Sequence, residues 1–125
     1  MAWAMASVVL VGVALVGAGI PTPASHTDNG RRIFLHGMTS TGRVVENSHG
    51  MEGVGCAMCH GPDMKGIGPV PPIAGRSPSY LMRQMYDMKA GTRKGMWTGL
   101  MKPVVAALSE EDLMNLSAYM ATLKP

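Results

Sequence analysis

Cys56-Ala57-Met58-Cys59-His60 is a C-x-x-C-H pentad in a chain of 125 residues with only these two cysteines. Two thiols two residues apart can each add to one vinyl group of a single porphyrin, and the residue that follows is then held beneath the ring with its imidazole toward the iron. The pentad therefore predicts one covalent c-type haem, attached through Cys56 and Cys59, with His60 as the proximal metal ligand. Two other uses of the pattern fit less well. A redox-active C-x-x-C needs a βαβ setting and a thiol activated at a helix start, and no buried strand pattern precedes Cys56. A zinc site needs two further ligands at finger-like spacing, whereas His26, His36 and His49 all lie upstream without a second cysteine pair.

Composition agrees with a cofactor at the centre. Only 5% of residues are aromatic, with a single Phe, so side chains alone supply little bulk for the core of a domain of about 100 residues. The chain has 13 methionines, flexible gap fillers that pack well on flat π surfaces. The net charge is +3, and two ionised propionates would reduce it to about +1. No basic run interleaved with aromatics is present, so nucleic acid is not an expected partner. A modest basic face for an acidic redox partner is compatible with the charge.

Residues 1–20 carry no charged side chain and include Val8-Val9-Leu10-Val11 and Val13-Ala14-Leu15-Val16. Such a run predicts an N-terminal apolar helix, either a signal peptide or a membrane anchor, with Pro21 and Pro23 ending it and a possible cleavage before Ser25. Two features are atypical: no Lys or Arg precedes the run, and Arg31-Arg32 follows it. The expected organisation is a leader or anchor over 1–24 and one haem domain over 25–125.

Along the domain, Asp28 is expected to cap a helix over Gly30-Arg31-Arg32-Ile33-Phe34-Leu35-His36 that stops at Gly37. Residues 38–55 read as irregular, with Val44-Val45 extended, and His36 and His49 read as surface histidines. The run Gly61 to Gly75 is too rich in Gly and Pro for helix, and one of its carbonyls is expected to accept the Nδ1 proton of His60. Ser77-Pro78 opens a helix carrying Tyr80, Leu81, Met85 and Met88 and ending at Gly91. Residues 92–105 read as a second irregular stretch. Ser109, followed by Glu110-Glu111-Asp112, opens a last helix with an apolar stripe of Leu113, Leu116, Met120 and Leu123 and Tyr119 at its edge. The fold class is all-α.

For a sixth ligand, Met64 lies too close to His60 to pass readily round the ring edge, and the helical methionines are expected to pack. Met96 and Met101 remain, both in the second loop, with His49 or an open position as further possibilities. Tyr80, Arg93 and Trp97 are candidates for contact with the ring or its propionates, although each also suits a surface or packing role.

Taken together, these features resemble the class I c-type cytochromes, especially short bacterial monohaem domains. The resemblance rests on Gly30-x-x-x-Phe34, the pentad with Gly61, Pro69, Pro72-Ile73-Ala74-Gly75 with Tyr80, Gly91-x-Arg93, Met101 seven residues before Leu108-Ser109, and Leu116-x-x-Tyr119, and it covers residues 28–123. It implies short helices and long loops wrapped round one haem, with the first and last helices crossing at Gly30, Phe34, Leu116 and Tyr119. It also implies that the Pro69 carbonyl orients His60 and that Met101 is the sixth ligand, beside the stiffening Pro103. The segment 38–55 is longer than is usual there and reads as an insertion, either inert or part of a docking surface. The implied function is single-electron transfer on the periplasmic or extracytoplasmic side, with redox proteins or a respiratory membrane complex as partners. The alternative is a haem domain with an open or labile sixth position that binds a gas or reacts with peroxide.

Overall fold

The computed structural model describes residues 22–46, 53 and 55–125, and every secondary-structure element among them longer than an isolated bridge is helical. The apolar run 1–20 and His49 lie outside the described residues. No helix among the described residues is long and apolar enough to cross a membrane.

Helix α1 (Pro23–His36) begins five residues before the expected cap at Asp28. Thr22, in extended conformation, accepts a hydrogen bond from the Ser25 amide, and Pro23 occupies the first helical position, where it has no needed N–H to lose. Pro23 thus starts a helix. Gly37 closes α1 in the left-handed region (φ 61°), its N–H bonding to the Ile33 carbonyl.

Helix α5 (Glu110–Thr122) is capped by Ser109, whose hydroxyl accepts from the Asp112 amide while the Asp112 carboxylate accepts from the Ser109 amide. This reciprocal arrangement satisfies backbone donors at the helix start, and the three acids of the first turn suit its positive end. Leu113, Leu116 and Met120 are buried along one stripe.

Helices α1 and α5 cross at Gly30. A Cβ there would fall 2.0 Å from the Asn115 carbonyl oxygen and 2.8 Å from the Tyr119 Cβ, so only glycine lets the two backbones approach this closely. One turn on, the Phe34 and Tyr119 rings lie 5.8 Å apart at 51°, a tilted pair adding about 1 kcal/mol to the area it buries. At the other end His26 donates from Nδ1 to Asn115 Oδ1 at 2.6 Å.

Between α1 and the pentad the chain folds back on itself: Met38 and Val44 form a bridge, Thr39 and Val45 are buried, and Arg43 reaches Asp112 at 3.3 Å. The described part of the insertion is therefore tied to the cap of α5.

Helix α3 (Pro78–Ala90) starts after Ser77, buries Leu81 and Met85, and ends at Gly91 (φ 78°). The expected loop over 92–105 is not wholly irregular. Helix α4 (Thr98–Ala106) occupies its second half, with Pro103 inside it. Pro103 removes only the bond to the Gly99 carbonyl, and Gly99 is exposed, so water can satisfy that oxygen. Val105 and Leu108 carry the segment into the core.

Candidate haem site

The pentad is placed by Gly55. A Cβ at Gly55 would lie 2.0 Å from the Phe34 carbonyl oxygen, so the backbone entering the pentad presses against the end of α1. One helical turn, α2 (Ala57–His60), follows, with the His60 amide bonded to the Cys56 carbonyl at 3.0 Å. That turn sets Cys59 at the surface, Cys56 half-buried and the His60 ring buried.

Burial pushes the Cys56 thiol up to about 11, so at neutral pH it is a thiol and not the activated thiolate of a redox C-x-x-C. Burial also lowers the His60 pKa, partly offset by its bond to the Pro71 carbonyl, and the net lowering keeps the imidazole neutral at neutral pH. His60 Nδ1 donates to that carbonyl at 3.1 Å, so Nε2 carries the lone pair and can bind a metal.

The orienting carbonyl belongs to Pro71, not to Pro69 as expected. Ile67 and Val70 bridge across a tight turn, with the Val70 amide on the Ile67 carbonyl, and Gly68 adopts φ 57° within it. Pro69 therefore sits exposed in the turn, and the chain returns beneath His60 two residues later. Gly66 makes this possible: it has φ 78°, and a Cβ there would lie 2.3 Å from the Val70 carbonyl oxygen. The loop is locked by Met64, fully buried with φ 57°, whose carbonyl accepts from the Ile73 and Ala74 amides.

Of the two loop methionines, Met96 is 89% exposed, whereas Met101 lies half-buried in α4 against the core that Cys56 and Ala57 also touch. Met101 and Val105 are four residues apart and share the inward face of α4. Tyr80, Arg93 and Trp97 are exposed. So are Met58, Ile67, Met96 and Leu100. Met58 belongs to the pentad, Ile67 to the 61–75 loop, Met96 to the segment before α4 and Leu100 to α4 itself, and each is a large apolar side chain that the packing of the chain leaves uncovered.

The cytochrome c family profile matches residues 27–124. The chain belongs to the cytochrome c family. A covalent c-type haem, held through Cys56 and Cys59, is accordingly its cofactor. This cytochrome c is 39% identical over 77 residues to cytochrome c4 of Azotobacter vinelandii, a match spanning 56% of the chain and 37% of that protein. It is 40% identical over 77 residues to cytochrome c-554(547) of Halothiobacillus neapolitanus, spanning 55% of the chain and 85% of that protein. The fold is similar to the crystal structure of reduced recombinant cytochrome c4 from Pseudomonas stutzeri, with a TM-score of 0.65 and 26% identity over 81% of this chain and 50% of that one. The chain thus spans about half or less of the c4 proteins and most of the shorter relative.

The partners of the site that sequence reasoning missed are Gly55 and Pro71, and at the α1–α5 crossing it missed Asn115. Gly55 and Pro71 are single members of Gly- and Pro-rich runs, and only the three-dimensional path distinguishes them from their neighbours. Asn115 interrupts the apolar face of α5, a departure in the stripe that marks a buried polar contact.

Proposed function

We propose that this cytochrome c is a single-electron carrier on the periplasmic or extracytoplasmic side of a bacterial membrane, with His60 and Met101 as its axial ligands. The observation that carries this is the His60 ring: buried, neutral, fixed through Nδ1 on the Pro71 carbonyl and free at Nε2, one residue after the thiol pair. Haem held in this way supplies a metal that exchanges one electron without bond making or breaking.

The protein's own groups do the rest. The 61–75 loop holds His60 in one orientation and excludes water from its ring. Met101, half-buried in α4 against the core, would offer the bound metal a soft thioether, a donor that favours Fe(II) over Fe(III) and would leave no position for a substrate. The exposed apolar residues Met96, Trp97 and Leu100 are accompanied by exposed Arg93, Lys94 and Lys102, a surface suited to an acidic redox partner. Where residues 1–20 are retained, they tether the carrier to the membrane, which suits a subunit of a respiratory complex.

Acid-acetone treatment is expected to leave all haem on the wild-type polypeptide and to release it from a Cys56→Ala/Cys59→Ala variant. The purified protein is then expected to titrate reversibly as one one-electron couple. Extraction of the haem from the wild type, or a chain that does not cycle reversibly between two oxidation states, would refute this assignment.

A further inference from the structure

On the outer side of the α3–α5 contact lies an open apolar groove of about 620 Å³, lined by none of the residues assigned to haem attachment or ligation. Met82, Tyr86 and Met114 form its walls, and Ser117 and Ala118 its floor. The Ser117 hydroxyl already donates to the Leu113 carbonyl at 2.8 Å, so the floor makes no polar demand on an occupant. Tyr86 is 50% and Met114 45% exposed, large apolar side chains on a face that the core does not use. Arg83 and Asp87, one helical turn apart on α3, also line the groove, and Arg83 makes no ion pair among the described residues. Asp87 keeps only a long side-chain contact, 3.3 Å from the Thr92 hydroxyl.

A partner for this face must offer an apolar side chain to the floor and, beside it, an acid and a base one helical turn apart in the opposite order. Helix α3 itself meets that description when turned through 180°. In a two-fold arrangement with antiparallel α3 helices, Arg83 of each copy meets Asp87 of the other, and each Tyr86 faces the small-residue floor of its mate. An isologous contact of this kind counts each favourable pair twice.

We propose that the α3–α5 groove is a homodimer interface, occupied by a second copy of this chain with Arg83 and Asp87 paired across the two-fold axis. The contact leaves the Met96–Leu100 face of each copy free for redox partners.

The test is sedimentation equilibrium of the full-length holoprotein, in mild detergent if it remains with membranes, over a concentration series at low and high salt. The wild type is expected to dimerise, more weakly at high salt because the rim pairs are screened. Arg83→Asp and Asp87→Arg each place like charges opposite one another at both symmetry-related positions and should each weaken the dimer by about tenfold or more. An equimolar mixture of the two variants should form mixed dimers with near wild-type affinity, since every Asp then faces an Arg. The Arg83→Asp/Asp87→Arg double variant should likewise dimerise. Recovery in the mixture shows that both variants are folded, and the haem spectrum provides an independent check. A wild type that stays monomeric throughout, a dimer indifferent to both single substitutions, or a mixture that does not recover overturns the proposal.

Discussion

Replacing Met101 with alanine is expected to abolish the weak far-red charge-transfer band of the ferric protein, lower its midpoint potential and let carbon monoxide or cyanide bind readily. The band belongs to a methionine sulfur on low-spin ferric haem, so it reports the ligand directly. A thioether favours Fe(II), and each tenfold loss of that preference lowers a one-electron potential by about 59 mV. Loss of a strong axial donor should cost two decades or so, a fall on the order of 100 mV. Met96→Ala is the matched control: Met96 is 89% exposed, and its removal should leave band and potential nearly unchanged. A band that survives Met101→Ala and disappears in Met96→Ala would reverse the assignment. A spectrum altered only by His49→Ala would make the distal ligand a histidine.

The largest effect on stability is expected at Gly30. In Gly30→Leu even the first side-chain atom lies 2.0 Å from the Asn115 carbonyl oxygen, a backbone atom that cannot turn aside. The helices must separate, which also opens the Phe34–Tyr119 contact and the His26–Asn115 hydrogen bond. A cost of about 4 kcal/mol or more follows, equivalent to a drop of roughly 15–30 °C in melting temperature for a domain of this size. Gly99→Ala is the contrasting case, because nothing lies within 4 Å of a Cβ there and the residue is helical. That substitution should be neutral or stabilising by up to about 1 kcal/mol. Equal melting temperatures for Gly30→Leu and the wild type would contradict the described crossing.

Much of this arrangement was legible in the sequence because local chemistry and tertiary packing agree there. Ser77-Pro78 and Gly91 bound α3 as their backbone preferences require, and Ser109 with its three acids starts α5 at the expected residue. The pentad is equally local, since five consecutive residues contain both thiols and the imidazole. Where the structure departs from what the local sequence favours, a tertiary contact outweighs a local preference. Asp28 looks like a helix start, but Thr22 and Pro23 cap the chain earlier, and α5 packs against the extra turns through the His26–Asn115 bond. Gly99 and Pro103 look like helix breakers, yet α4 forms because Val105 and Leu108 gain full burial and the carbonyl deprived of its partner faces water. Pro69 and Pro71 are alike in sequence, and only the turn at Ile67–Val70 decides which carbonyl comes beneath His60.

The shift from Pro69 to Pro71 leaves the chemical role intact, because any carbonyl in that place fixes the Nδ1 tautomer and raises the basicity of Nε2. The insertion is changed more in meaning. Its described part buries Thr39 and Val45 and ties Arg43 to the acid that caps α5. It therefore acts in part as structure, linking the approach to the haem-binding pentad with the helix that α1 crosses.

Ligation by both His60 and Met101, as proposed, would close the iron on both sides, so that this cytochrome c would pass electrons without binding a substrate. Exposure of the dithionite-reduced wild-type protein to carbon monoxide, followed by its absorption spectrum, tests this most directly. The account predicts a spectrum unchanged by the gas. Rapid formation of a carbon monoxide complex in the wild type would contradict it and assign the chain to the gas-binding or peroxide-reactive class.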